Sequence, residues 1–369
     1  MQMPGLYIHI PFCISKCLYC DFYSLAGKDD LIDGYVSAVV RESEKYDGMS
    51  FRTLYVGGGT PSLLGARRLA RLMESLQSHL GIDRLVEATI EANPESADED
   101  FLKAVRNMGF KRISIGVQSL DDDELKKAGR VHSSAQALKA VDVAFSCGID
   151  NVSADVIIGL PGQTGESLDN TLRKLIGAGL THISVYCLSI EEGTAFAACP
   201  PDDLPGDEFQ ALMYESVSGI LKRSGFIHYE ISNFALPGKE CLHNLNYWRG
   251  GEYIGLGPSA ASHMGGRRWK NASDLMAYID DPAAVGFDED IVDVETKMAE
   301  EAMLRLRLLE EGLDAGQLAR RYGFNESKGL EERLNNLAGQ KMLMKKGKKY
   351  KLAPGSILTS NRVFVDVIN

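Results

Sequence analysis

No stretch of this chain approaches the ~20 consecutive apolar residues that a membrane-spanning helix requires, so no transmembrane segment is expected. The opening residues, MQMPGLYIHIPFC, lack the basic segment and long apolar run of a secretory signal, and the expected address is cytoplasmic. Positive charge is in deficit. The formal net charge of −11 argues against a nucleic-acid partner, because phosphate binding is driven by Lys and Arg. The one basic run, KKGKKYK at Lys345–Lys351, reads as a solvated hairpin with Gly347 at its turn. There is no low-complexity tract, and no repeat of fixed period beyond an alternation of strand and helix signals. What is present, 369 residues with 44% hydrophobic and 25% charged content, suits a soluble globular protein able to bury a full core.

The first two-thirds alternates strands with helices. Strands are expected at Leu6–Ile10, Thr53–Gly59, Glu87–Asn93, Arg112–Ser119, Val152–Leu160 and His182–Ile190, each short, β-branched or aromatic-rich, and ending in polar or small residues. Between them run helical stripes: Leu69, Leu72, Met73, Leu76 and Leu80; then Ala137, Leu138, Val141, Ala144 and Phe145; then Phe209, Leu212, Met213, Val217, Ile220 and Leu221. All three stripes are read as core packing. Six β-then-α units imply an α/β fold, a partial (β/α)6 TIM-like barrel with right-handed crossovers and chemistry at the strand C-terminal ends. Residues 1–228 would form this barrel. Residues 229–285, rich in Gly, Asn and aromatics, read as extended structure and loops capping the barrel. A linker is expected near DDPAAVGFDED, and residues 286–369 read as a small C-terminal helical, winged-helix-like domain.

Seven cysteines, three of them clustered, point to metal or redox chemistry in a cytosolic chain. Cys13, Cys17 and Cys20 follow the first strand at C-x3-C-x2-C with no fourth nearby. Thiolates suit soft metals and iron–sulfur clusters. A 4Fe–4S cluster takes four cysteines as a rule, so three leave one iron open to another ligand. Zinc is the competing reading, but its sites show paired short cysteine spacings or His at fixed offsets. Cys147, Cys187, Cys199 and Cys241 share no ligand-like spacing and read as small buried apolar residues.

The C-x3-C-x2-C spacing, with Tyr19 before the last Cys, resembles the radical S-adenosylmethionine (SAM) superfamily. YIHIPFC, GGGTPS, GVQS, GLPGQ and YEISNFALPG together resemble the oxygen-independent coproporphyrinogen III oxidase family over nearly the whole chain. The resemblance implies that Cys13, Cys17 and Cys20 hold a 4Fe–4S cluster whose open iron chelates SAM. It also implies SAM contacts from Tyr7, Tyr19, Gly58, Gly59, Thr60, Glu91, Gln118, Arg130 and Asp155, and from Ser189 and Ala261 as backbone or wall contacts.

The stretch HNLNYW, His243–Trp248, is expected in a loop over the barrel mouth. Imidazole is a good axial ligand for heme iron and aromatics pack a porphyrin face. The pattern resembles the heme chaperone branch of this family, which implies heme binding at His243 and delivery of heme to an acceptor heme protein. His9, His228 and His263 are weaker ligand candidates. Two departures separate the branches. The decarboxylating oxidases resemble C-x3-C-x2-C-x-C, whereas Phe22 stands at the last position here, and they carry a longer arm before the first Cys. The rival is thus a radical enzyme decarboxylating porphyrinogen propionates. A third reading, a bare electron carrier, has no use for Glu91, Gln118 and Arg130.

Overall fold

The computed structural model describes residues 3–283, 287–291 and 293–369. Six strands form where alternation predicts them: β1 (Gly5–Ile10), β2 (Thr53–Gly58), β3 (Glu87–Ala92), β4 (Arg112–Gln118), β5 (Asn151–Ile158) and β6 (His182–Cys187). They pair in parallel in chain order. The crossovers are α1 (Ile32–Ser43), α2 (Gly65–Gln77), α3 (Glu99–Asn107), α4 (Asp122–Lys127), α5 (Ser134–Ser146) and α6 (Gly165–Gly177), with α7 (Asp207–Arg223) following β6. Local chemistry starts several of them; Ser133 and Gln136 form a reciprocal capping box at α5. One parity of each strand (Leu6, Ile8, Leu54, Val56, Ile90, Ile113, Ile183) is fully buried with the helices in the main core. The other parity is polar or aromatic, including Tyr7, Tyr55, Glu91, Ser114 and Asp155. Such inward residues pack no apolar interior; they line a site.

After β6 the architecture departs from the expected cap. Strands β7 (Ile227–Glu230) and β8 (Asn233–Ala235) extend the sheet antiparallel beyond β6. HNLNYW then forms helix α8 (Leu242–Trp248). Strand β9 (Tyr253–Leu256) enters on the far side of β1 as a seventh parallel strand. It continues into antiparallel β10 (Ala261–Met264), β11 (Arg267–Asn271) and β12 (Phe287–Ile291). The result is an open twelve-stranded sheet ordered β12-β11-β10-β9-β1-β2-β3-β4-β5-β6-β8-β7. The segment is therefore part of the barrel wall. Of the expected linker, residues 284–286 lie outside the described residues, and Phe287–Ile291 is a strand of the sheet rather than a connector.

The stripe of α7 is narrower than its sequence suggests. Met213, Val217, Ile220 and Leu221 are buried, an i, i+4, i+7, i+8 set, while Leu212 falls off that line and Phe209, on the line but in the first turn, also stays exposed. The C-terminal elements are α9 (Val294–Leu306), α10 (Ala315–Tyr322), α11 (Lys328–Gly339), the hairpin β13 (Leu343–Lys346) and β14 (Lys349–Leu352), and α12 (Ser360–Ile368). Gly347 turns the hairpin at φ +63°. These elements enclose a core of their own around Leu306, Leu318, Leu334, Tyr350 and Val363. Leu308 packs with Tyr229, Ala235 and Leu245 and so ties this unit to the sheet edge. Among the described residues no helix is long and apolar enough to cross a membrane.

Candidate functional site

The C-terminal ends of β1–β6 surround a cavity of about 390 Å³. Cys13, Cys17 and Cys20 line it together, as do Tyr19, Gly58, Gly59, Glu91, Gln118, Arg130, Asp155 and Ser189. Eleven of the fifteen residues singled out from the sequence thus line one cavity.

The cysteine loop is built from both sides. Gly59 and Thr60 donate their N–H groups to Ile10 and Phe12 carbonyls, each at 2.7 Å, which clamps the glycine-rich loop to the loop's first residues. A Cβ on Gly59 would lie 2.6 Å from the Phe12 carbonyl and 3.0 Å from the Cys13 sulfur, so only glycine fits. The Thr60 hydroxyl donates to Cys13 Sγ at 3.5 Å and accepts from Asn93 Nδ2 at 2.9 Å. Thr60 is therefore fully buried behind the cysteine and does not line the cavity, contrary to its expected contact with SAM. Arg130 donates to Cys17 Sγ at 3.3 Å, to Asn93 Oδ1 at 2.8 Å and to the Gly116 carbonyl at 2.9 Å. Its Nε is buried with no partner among the described residues.

A three-thiol donor set with a guanidinium on one sulfur fits a soft metal cluster. Burial pushes the Cys20 thiol up to about 11; the Phe22 backbone opposes this, and the neighbouring Cys17 and Cys13 add to it. Thiols that ligate a metal give up their protons on binding it.

The opposite wall carries the acids. Burial lifts Glu91 to about 7, against the hydrogen bond from Tyr55, with Asp155 adding to the rise. Its carboxylate accepts from Tyr55 Oη at 2.6 Å and from the Gly58 N–H at 3.0 Å. Burial likewise raises Asp155, which accepts from Ser114 Oγ at 3.1 Å. Gln118 sits at φ +67°, a costly conformation for a side-chain-bearing residue, at a break in the β4–β5 register. That twist turns the strand end toward the cavity. Acids, a guanidinium and close backbone together can hold a zwitterionic, cationic ligand of SAM's kind.

Sequence reasoning left Asn93, Ser114 and Tyr186 unassigned, although all three line the cavity. Asn93 links Thr60 to Arg130; Ser114 falls on the same inward parity as Gly116 and was discoverable from strand alternation. Cys187 and Cys199 are exposed and Cys147 half-buried, so only Cys241 is the small buried residue expected of all four. Cys187 borders the cavity, because β6 ends there.

Tyr7 and Ala261 line a second, larger cavity of about 1190 Å³, between the β9–β11 face and the C-terminal unit. The two cavities share Lys16, Asp21 and Phe22. Phe22, at the branch-distinguishing position, is 63% exposed there. Tyr7 Oη bonds His9 Nδ1 at 2.9 Å, and His9 Nε2 meets the Tyr23 carbonyl at 2.8 Å, so His9 is occupied. His228 is stacked on Phe234 at 3.9 Å, inside the fold.

His243 lines neither cavity. Helix α8 sits at the strands' N-terminal ends, opposite the thiols, rather than over the mouth. Glu87, at the start of β3, accepts from the Leu242 and His243 N–H groups, both at 2.9 Å, and so caps the helix from afar. The His243 ring is 0% exposed. Its Nδ1 lies 2.8 Å from Thr53 Oγ1 and its Nε2 2.7 Å from Tyr247 Oη. Burial, with Arg112 nearby, pulls it down to about 3, which keeps it neutral. In this conformation both nitrogens are taken, and the expected heme contact at His243 is closed off.

Residues 7–175 match the family model of the radical SAM superfamily. The chain is 33% identical over 369 residues, 99% of its length and 97% of the relative's, to the heme chaperone HemW of Lactococcus lactis subsp. lactis. It is 36% identical over 332 residues, 87% of each chain, to the heme chaperone HemW of Bacillus subtilis. The solved structure of coproporphyrinogen III oxidase (HemN) from Escherichia coli, a radical SAM enzyme, is similar with a TM-score of 0.88. That likeness spans 100% of this chain and 91% of that one at 22% identity, and concerns the fold.

Proposed function

Because the chain belongs to the HemW heme chaperone family of the radical SAM superfamily, we propose that it binds heme and delivers it to an acceptor heme protein. Cys13, Cys17 and Cys20 are its 4Fe–4S ligands, with SAM as the exchangeable fourth. When bound, cluster and SAM supply an open coordination position and one-electron chemistry. Arg130 holds the thiolate of Cys17 and balances its charge. Tyr19, Glu91, Gln118 and Asp155 line the space next to the thiols and bind the adenosyl compound; Gly58 and Gly59 let backbone approach it, and Ser189 forms the rim. Tyr7 and Ala261 belong to the adjoining cavity and serve its occupant. The barrel carries the cluster, the segment from residue 229 supplies the wall between the sites, and the C-terminal unit closes the larger space. The protein works in the cytoplasm.

The observation that carries this reading is the convergence of three thiols, a guanidinium and two half-buried acids in one cavity, beside a larger one divided off at Phe22. The test is one anaerobic sample of the cluster-loaded chain, assayed in parallel. Ferric heme should give a saturable Soret shift, and the heme should pass to an apo-hemoprotein. Coproporphyrinogen III with reductant and SAM should yield no protoporphyrinogen IX. Turnover of the porphyrinogen without heme transfer would replace this reading with the decarboxylase.

A further inference from the structure

The larger cavity is walled on one side by a sheet face of fixed composition. Successive strand residues alternate between faces, so Tyr253 on β9, Ala261 and His263 on β10, and Arg268 and Lys270 on β11 project to the same side. The pairings Tyr253↔His263, His263↔Arg268 and Ala261↔Lys270 place them as direct neighbours. All five line the cavity. The alternate residues Ile254 and Ser262 are buried on the other face. Tyr247 and Trp248, the last two residues of α8, line the same space, with the Tyr247 ring against Tyr253 at 4.5 Å.

His263 differs from His243 in every respect that matters to a metal. It is half-buried at the cavity wall, its edge faces Tyr253 at 6.1 Å between ring centroids, and neither nitrogen has a hydrogen-bond partner among the described residues. Lys270 and Lys16 line the same space and have no ion-pair partner among the described residues, whereas Arg268 pairs with Glu300 at 2.8 Å. An aromatic-walled space with one open imidazole and three ammonium groups, Lys16, Lys270 and Lys297, matches an iron porphyrin bearing carboxylate side chains.

We propose that ferric heme sits in this larger cavity with His263 as its iron ligand and with Lys270 and Lys16 holding its propionates. The inference rests on the chaperone reading and deepens it. His243 is then a positioning residue. A row of rings runs Tyr55–His243–Tyr247–Tyr253–His263, with centroid separations of 5.3, 4.8, 4.5 and 6.1 Å. His243 anchors that row at the barrel floor, and Tyr247 and Tyr253 carry it to the wall where His263 stands.

The test compares cluster-loaded wild type with His263→Ala, the near-isosteric His263→Gln, and His243→Asn, each titrated with ferric heme and with iron-free protoporphyrin IX. Iron and sulfide content reports whether each variant is folded. Both His263 variants should bind ferric heme about tenfold more weakly or worse. They should lose the histidine-type Soret band, and added imidazole should restore it. Their affinity for protoporphyrin IX should stay at the wild-type value, because only the iron bond is removed. Lys270→Ala should weaken both porphyrins. If His263→Ala and His263→Gln titrate as wild type while His243→Asn loses the band, the ligand assignment falls and the chaperone reading stands. If wild type itself takes up no ferric heme saturably, both fall.

Discussion

At the scale of single residues, the barrel interior is a set of polar groups held in unusual states by burial, and Glu91 is the clearest case. Between its ordinary value of 4.5 and its value of about 7, the folded protein holds a proton that the unfolded chain has released. Stability therefore falls as pH rises through that window, and is level above it. Glu91→Gln removes the titration. In melts of cluster-free protein at about pH 5 and about pH 7.5, the wild type's advantage over Glu91→Gln should shrink at the higher pH. A gap that stays constant would show that Glu91 does not change charge there. Much of this site was legible in the sequence: the three thiols and the strand-end Glu91 line the cavity expected at the strand C-termini, and Arg130 and Asp155, expected from the family resemblance, line it too. His243 was not, because nothing local reveals that its ring fills a barrel floor made by Gly5, Thr53 and Tyr55.

At the scale of elements, the six strands were readable to within a few residues because β-branched alternation is a strong signal. Two elements were not. HNLNYW has two asparagines and two aromatics, poor helix formers, and its helix is capped by Glu87, a residue 156 positions before His243. Strand β9 lies in a glycine-rich run, and its distant partner β1 fixes it as a strand of the sheet. The cysteine loop is likewise held by distant contacts. Leu18 donates its N–H to the Ala128 carbonyl at 3.2 Å and accepts from the Phe196 N–H at 2.9 Å, which docks the loop on the end of α4. Gly129, at φ +76°, lets it come close; a Cβ there would lie 2.8 Å from Leu18 Cγ. Gly129→Ala is thus strained twice. It should assemble the cluster but lose it several-fold faster, measured as iron release to a colorimetric chelator under anaerobic conditions. Wild-type release kinetics would show that this contact does not hold the loop.

At the scale of the whole molecule, sheet and C-terminal unit meet through Leu308, Arg307 and Glu311. Arg307 lies 4.4 Å from the Trp248 ring centroid, and Glu311 pairs with Arg249. Leu308 is 1% exposed. Leu308→Ala should destabilise by about 2–5 kcal/mol, as buried leucine truncations do. Chemical denaturation should keep one transition with an earlier midpoint; two separated transitions would show that the C-terminal unit unfolds independently. The unit's run of helices and hairpin was legible from helix and hairpin signals, but its role as the far side of a cavity was not, since that depends on how it docks.

The three residues Lys16, Asp21 and Phe22, common to both cavities, carry a thermodynamic obligation. An occupant that shifts these residues on one side changes the affinity of the other side. The factor by which cluster loading changes porphyrin affinity is then the factor by which porphyrin changes cluster retention.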